Sequence, residues 1–450
     1  MSNPNSPFFY KTYTKLFLAQ VISLVGTGVT TIALALLAWE LAGDEAGKVL
    51  GIALSLKMVA YVFFAPIIST FAHKFSRRFW LIFLDVIRAL IVLYLPFVTT
   101  VWEIYILLFL INLASAGFTP IFQATISDIV KNEQAYQKAL SYSRLAYDLE
   151  QLLSPSFAAL LLTFISFNAL FILDSITFIF SAFLILISTI PMVKKVSTNG
   201  SFLQNLTFGI SSYLKTPRLK ALFFIYITVA LASAMMITNT VVYVSDFLQK
   251  GESYVALAMA ISGFGSMLIA LVLPKWLQSI QIRKILFTGA FFIVLSLALA
   301  SLNPNWLGFI SLWFTLGIGL SLIQVPAGFL VRLSCNESDS ISYFSANFSL
   351  SHFCWMIAYP LAGFLGVKFG LSTTFLIFAF IGGIASIVAY KIYPNPDELE
   401  LEHTHEELVH SHDIIDDEHH HLEDDLTHTH KKLTHKHKFV IDYHHRYWPS

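Results

Sequence analysis

The sequence predicts an all-α membrane protein: twelve transmembrane helices in two six-helix repeats, followed by a disordered His-rich tail. Three observations carry that reading. Of 450 residues, 56% are hydrophobic and 12% charged, with a mean hydropathy of +0.68. A soluble domain is about 45–50% apolar and about 25% charged. No soluble core hides that much apolar surface, which excludes nucleic-acid binding and ordinary soluble enzymology. Second, the apolar residues fall in stretches long enough to cross a bilayer. Third, the net charge of zero conceals a split. Residues 1–393 hold 23 Lys/Arg against 14 Asp/Glu, or +9, and residues 394–450 hold 5 against 14, or −9, with 13 of the 15 His.

A helical span needs roughly 20 mostly apolar residues, because the hydrocarbon layer is about 30 Å thick and a helix rises about 1.5 Å per residue. In order, the stretches that qualify are 16–41, 49–72, 79–99, 103–128, 136–165 and 168–192, then 219–247, 254–278, 284–302, 306–332, 342–368 and 372–392. The first is too long for a cleaved signal peptide, and more spans follow it. The domains expected are therefore an N-terminal bundle (1–192), a central loop (193–218), a C-terminal bundle (219–393) and a tail (394–450). The central loop carries MVKKVSTNG and the basic pair Lys215 and Arg218. A shift of about 206 residues lays Arg77-Arg78 on Arg283-Lys284 and Pro120 on Pro326, as expected of a duplicated transporter body. Pro394-Asn-Pro396 stops the last helix.

Loop cations set the orientation. With the N-terminus inside, seventeen Lys/Arg fall inside, and only Lys48, Lys250 and Lys368 fall outside. Both termini are thus expected in the cytoplasm. Lys57, Arg88 and Arg144 remain within spans. Cys335 and Cys354 are not expected to form a disulfide there.

The loop Ser69-Thr-Phe-Ala-His-Lys-Phe-Ser-Arg-Arg78 resembles the signature loop of the major facilitator superfamily, Gly-x-x-x-Asp-Arg-x-Gly-Arg-Arg. Lys74, Arg77 and Arg78 match its basic end; Ser69 and Ser76 stand for the glycines and His73 for the Asp. The resemblance implies a gating role for Lys74, Arg77 and Arg78, with Asp85 and Arg88 as the nearest charged groups of the next span. The alternative is that these cations only set topology. Phe118-x-Pro120-x-x-Gln-Ala124-x-x-x-Asp128, followed by Asn132-Glu133-Gln134, is similar to the end of the fourth span in the efflux branch that includes macrolide, siderophore and nickel exporters. Asp85-x-x-Arg88-Ala89 fits the same branch.

Charges inside spans are costly and become site candidates by default. Asp148 and Glu150 fall near the middle of the fifth span. Arg144, one turn before Asp148, offers an i,i+4 ion pair as the alternative role. Asp174 and Glu40 fall close to the outer surface, where interface residues are commoner than site residues. In the eleventh span, His352 and Met356 share a face and Cys354 points elsewhere. The 206-residue shift sets Cys354 opposite Asp148 and Met356 opposite Glu150. These are ligand types for late first-row metals, or simply packing. Asn112, Ser115 and Asn239 are further polar candidates, or hydrogen-bonding glue between helices.

The tail contains His403, His405, His410, His412, His419, His420, His421, His428, His430, His435, His437, His444 and His445 among acidic residues. Neutral imidazole is a common metal ligand, so the tract reads as metal-binding. A solubilising tail or a pH sensor is the alternative. It also resembles the His-rich extension of nickel-resistance exporters in that branch. The expectation is a secondary active exporter of a divalent transition metal, nickel first and cobalt or zinc next, coupled to protons. The alternative is an exporter of an organic molecule, a siderophore or a drug, whose tail buffers metal. No nucleotide-binding Gly-x-x-x-x-Gly-Lys-Ser/Thr motif is found. No cofactor is required, and the expected partners are a metal ion or small-molecule substrate and membrane lipid. The protein is expected as a non-enzymatic monomer of the bacterial inner membrane that binds no nucleic acid. Reporter fusions at Ser450 test the orientation. A cytoplasm-folding reporter should be active there, and activity of a periplasmic reporter would reverse the topology.

Overall fold

The helices begin and end where the local chemistry requires. Ser76 caps one N-terminus by accepting from the Phe79 N–H, and Asn132 and Asn305 do the same for Ala135 and Gly308. Glu103 accepts from the Thr100 N–H at 2.8 Å to open another helix. Gly43 and Gly370, both at positive φ, close theirs. The computed structural model describes residues 4–43, 46–72, 75–191, 202–397, 400–405, 408–411, 427–430, 433–441 and 448.

The N-terminal bundle is α1 (Lys11–Ala42), α2 (Val49–Ala72), α3 (Arg77–Phe97), α4 (Val101–Ile129), α5 (Glu133–Leu162) and α6 (Phe167–Leu186). Helix α7 (Phe202–Lys215) lies within the expected central loop. The C-terminal bundle is α8 (Pro217–Phe247), α9 (Glu252–Trp276), α10 (Ile282–Ala300), α11 (Trp306–Leu333), α12 (Ser340–Phe369) and α13 (Leu371–Ile392). Among the described residues, eleven helices are long and apolar enough to cross a membrane. The expected fifth span, α5, falls short on composition because it carries Arg144, Asp148 and Glu150. It nevertheless runs 30 residues and packs among the spans, against α1, α9 and α11.

Within the first bundle α1 packs on α6 and α5, and α3 on α6 and α4; within the second, α11 packs on α9 and α10, and α8 on α12 and α13. Gly317 allows the approach of α9 to α11, since a Cβ there would fall 1.9 Å from the Ser262 carbonyl oxygen. The bundles meet along α5 with α9 and α11, and along α12 with α2 and α4. The outer part of the second bundle is fixed by aromatic stacking. Trp313 lies 3.9 Å from Phe309, Phe309 lies 4.4 Å from Tyr243, and Trp313 Nε1 donates to Thr240 Oγ1 at 3.0 Å. Side chains such as Trp102 and Val367 face outward, at 74% and 93% exposure, as a lipid-facing surface requires. Helix α8 passes through π-helical turns at Met235–Asn239 and Tyr243–Phe247, and α2 through one at Ala60–Phe64.

Within the tail, expected as an unstructured chain, four short segments are paired. Strand β1 (Glu400–His405) pairs antiparallel with β4 (Leu433–Lys438), and β2 (Leu408–Ser411) with β3 (Thr427–His430). The alternation of His with Leu, Thr and Val in these segments suits a strand. Beyond the ladder the chain returns to the helices. Phe439, Val440 and Ile441 are buried, and the Tyr343 hydroxyl on α12 donates to the Ile441 carbonyl oxygen at 2.6 Å. Trp448 meets Phe439 edge-on at 5.2 Å and lies under the Arg218 guanidinium. At the other end of the tail, Asp397 pairs with Arg218 at 3.5 Å and accepts from the Tyr393 hydroxyl at 2.8 Å.

Candidate functional site

Two polar assemblies link the bundles. The first closes the face that bears the chain's N-terminus. Arg77, at the start of α3, forms an ion pair with Asp128 near the end of α4, and its Nη2 donates to Ser340 Oγ at the start of α12 at 3.0 Å. Lys131 pairs with Glu337 of the other half. The Arg332 guanidinium donates to the carbonyl oxygens of Val130 and Lys131, each at 2.9 Å, and covers the Tyr136 ring at 4.5 Å. The carboxylate that the basic loop reaches is thus Asp128, not Asp85. Asp85 and Arg88 pair with each other inside the first bundle, one turn apart, so neither takes part in these contacts. Arg78 is exposed, and Lys74 lies outside the described residues.

The second assembly sits halfway along the helices. Asp148 accepts from Arg144 Nη2 at 2.8 Å and from Ser266 Oγ on α9 at 2.6 Å. Arg144 Nε donates to the same Ser266 oxygen at 3.0 Å, and Nη1 donates to Gln324 Oε1 on α11 at 2.6 Å. The i,i+4 pair anticipated from the sequence is therefore formed. Its remaining hydrogen-bonding capacity reaches two helices of the opposite bundle.

Glu150 lies on another side of α5, with Lys57 of α2 near enough to offset its charge. Lys57 Nζ is 5.5 Å from the Tyr61 ring centroid, and Tyr61 meets His352 edge-on at 4.9 Å. His352 is framed by Phe348 at 4.1 Å and Trp355 at 5.1 Å, and its Nδ1 is 2.7 Å from the Phe348 carbonyl oxygen. Glu150, Lys57, Tyr61 and His352 thus bring polar groups from three helices into an aromatic frame.

The remaining candidates have local roles. Cys354 Sγ donates to the Leu350 carbonyl oxygen at 3.4 Å, and Met356 is half-buried two residues on. Among the described residues no group of three His, Cys, Asp or Glu is placed to hold a metal ion, so His352 and Cys354 belong to no such group. Asn112 Nδ2 donates to the Leu108 carbonyl oxygen of its own helix at 2.7 Å. Asn239 Nδ2 donates to the Ala362 carbonyl oxygen on α12 at 3.3 Å, which makes it a tie between helices. In the tail, the register sets His403 opposite His435 and His410 opposite His428, with His405, His430 and His437 in the same ladders. His412, His419, His420, His421, His444 and His445 lie outside the described residues. Sequence reasoning missed Ser266, Gln324, Ser340, Arg332 and the Lys131–Glu337 pair. Lys131 and Glu337 are 206 residues apart, so the repeat shift itself pointed to that pair.

Two expectations follow from this geometry. Arg77→Ala leaves Asp128 buried without its cation, a loss of about 3–5 kcal/mol for a buried pair, whereas exposed Arg78→Ala should stay within about 0.5 kcal/mol. Transport rate and thermal stability should therefore fall in the first variant and hold in the second. Asp148→Asn strands Arg144 at a similar cost of about 3–5 kcal/mol. Folded yield should drop, and Arg144→Gln combined with Asp148→Asn should recover it. A single variant as stable as the native chain would show that the pair is not needed for folding.

The model of the Major Facilitator Superfamily matches residues 16–296 and 222–432. A Bacillus subtilis (strain 168) protein described as the uncharacterized MFS-type transporter YvqJ is 23% identical over 392 residues, covering 84% of this chain and 90% of its own length. Macrolide efflux protein A of Streptococcus pyogenes is 25% identical over 370 residues, covering 80% of this chain and 89% of its own. The crystal structure of the human organic anion transporter MFSD10 superposes with a TM-score of 0.71 at 12% identity, covering 84% of this chain and 98% of that one. The chain belongs to the Major Facilitator Superfamily, as an integral membrane transporter of small molecules.

Proposed function

We propose that the protein exports an amphiphilic organic molecule of the drug class, using an ion gradient as its energy source. The observation that supports this best is the make-up of the mid-membrane frame. Tyr61, Phe348 and Trp355 surround His352, whose Nδ1 is engaged by a backbone carbonyl, and Lys57 offsets Glu150. Such a site has aromatic faces with a few polar groups among them, which suits an organic ligand. A transported metal ion needs several converging ligands, and the described residues assemble none in the bundles. Similarity to a macrolide efflux protein points the same way. Alternating access then consists of the two bundles rocking about this frame while the Arg77–Asp128–Ser340 contacts open and close.

The tail carries a second reading, metal capture, favoured by the register that sets His403 opposite His435 and His410 opposite His428. Opposite residues of an antiparallel pair lie about 4.5–5.5 Å apart, a spacing from which two imidazoles can share one ion. In this reading the tail binds nickel, cobalt or zinc and responds to it, and the bundles do not carry it.

One experiment separates the two. Cells expressing the full chain, the chain cut after Pro396, or neither are challenged with erythromycin and with nickel, cobalt and zinc salts. The full chain should raise erythromycin tolerance several-fold, and the cut chain should retain part of that gain. Tolerance to metal alone, lost on truncation, would reinstate metal export as the function.

A further inference from the structure

Three ionisable side chains are buried together in the N-terminal bundle: Asp85 and Arg88 on α3 and Asp174 on α6, at 0%, 6% and 1% exposure. Two of them are complete as a pair. Arg88 donates to Asp85 Oδ1, and Asp85 Oδ2 accepts from Ser181 Oγ at 2.7 Å. The guanidinium is clamped between the rings of Phe118 and Phe178, at 4.1 and 4.5 Å from their centroids. That pair is neutral, so the carboxyl of Asp174 is surplus: two acids share one cation.

The carboxyl of Asp174 has hydroxyl groups beside it and no counter-ion of its own. Oδ1 lies 3.1 Å from Thr177 Oγ1, and Oδ2 has no partner. The Thr177 hydroxyl has a single hydrogen, and its shorter contact, 2.8 Å, is to the Asp174 carbonyl oxygen. That one hydrogen serves either the carbonyl oxygen or Oδ1. Thr30 on α1 lies beside the same carboxyl and can donate to it. Ionised, the carboxyl would still be a buried charge with no counter-ion of its own.

Helix α1 controls access to the group. At Gly26 a Cβ would fall 2.1 Å from Thr177 Oγ1 and 2.2 Å from Asp174 Oδ1. At Gly28 it would fall 1.9 Å from Ser154 Oγ and 2.8 Å from Glu150 Oε1 of α5. Helix α1 is thus a partition, reduced to bare backbone between Asp174 on one side and Glu150 on the other. The groups acting on Asp174 from the packed elements are Thr30 on α1, Arg88 on α3 and Thr177 on α6. Beyond the partition lie Glu150 and Tyr147 on α5 and, offsetting Glu150, Lys57 on α2.

We propose that Asp174 is the residue at which this transporter binds and releases its coupling proton, with α1 as the moving seal. The inference rests on the ion-driven export reading. When substrate in the mid-membrane frame shifts α1 away from α6, water reaches Asp174, which gives its proton to that water and becomes a carboxylate. Return of α1 requires the carboxylate to take a proton back from water on the other side of the membrane. No other bond is made or broken.

The test uses the full chain reconstituted in lipid vesicles. Infrared difference spectra should show the C=O stretch of a buried protonated carboxyl at neutral pH. The band should be absent in Asp174→Asn and retained in Glu150→Gln; a band that survives Asp174→Asn overturns the proposal. Gly26→Ala, which sets a methyl group against the Asp174 carboxyl, should change the rate of the deuterium shift of the band, and an unchanged rate overturns the role of α1 as seal. In the transport arm, erythromycin is the probe. A one-unit pH gradient supports about tenfold accumulation per proton; Asp174→Asn should abolish that accumulation and keep erythromycin exchange. Accumulation undiminished in the variant also overturns the proposal. If the native chain moves no erythromycin, the drug-export reading fails, while the infrared arm still decides the protonation of Asp174.

Discussion

A charge inside a bilayer must find its counter-charge within the protein. That requirement decides where the ionisable groups of this chain sit. The cost at a helix centre is about 2.5–3.5 kcal/mol per charge on insertion scales. Asp85 with Arg88, and Arg144 with Asp148, meet it one turn apart on a single helix. Each of those pairs enters the membrane already neutral. Only afterwards does the surplus hydrogen-bonding capacity of the pair look outward. Asp85 takes Ser181 of its own bundle, and Arg144 takes Ser266 and Gln324 of the other. The same chemistry thus does two jobs. One pair consolidates a bundle, and the other ties two bundles with neutral partners, bonds that are weaker and easier to exchange than a second ion pair.

The closed face follows a different rule. Lys131 and Glu337 occupy equivalent positions in the two halves, 206 residues apart. A residue and its repeat equivalent can touch only where the axis relating the halves passes. The pair therefore marks that axis at this face, with Arg77, Asp128, Ser340 and Arg332 around it. Duplication explains why cations on one half meet an acid and backbone carbonyls on the other: divergence of two copies at an axis sets unlike groups opposite each other.

Much of the fold was legible, because hydropathy reports the environment of a span directly. The stretch expected at 16–41 is Lys11–Ala42, and that at 306–332 is Trp306–Leu333. Helix α7 was hidden in the expected central loop, since Phe202–Lys215 is too polar and too short to read as a span and its signal is amphipathic. The candidate site was legible only where partners are close in sequence. Arg144 and Asp148 are four residues apart and could be paired on helix geometry. Ser266 and Gln324 are 118 residues from Asp148 and 180 from Arg144, and a lone Ser or Gln carries no pattern. Proximity in sequence even misled at the gate. It favoured Asp85, eight residues from Arg78's neighbour Arg77, over Asp128, which is 51 residues away and is the true partner. The same limit applies to His352, Cys354 and Met356: spacing on one helix cannot say which ligands other helices bring.

The tail changes meaning once both of its ends are seen to be held. A tether fixed at one end sweeps a volume that grows with its length and meets the gate only by chance. This segment is fixed at Asp397 through Arg218 and again at Phe439–Ile441 through Tyr343, so it is a closed loop. Its second anchor is on α12, three residues beyond Ser340, the hydroxyl that accepts from Arg77. Strands β1 and β4 begin and end within a few residues of the two anchors, with Glu400 opposite Lys438 at the base. Anything that tightens the ladder therefore holds Phe439–Ile441 against α12, and anything that opens it loosens the same contact. The histidines of the two ladders, His403, His405, His410, His428, His430, His435 and His437, thus lie between the two anchors.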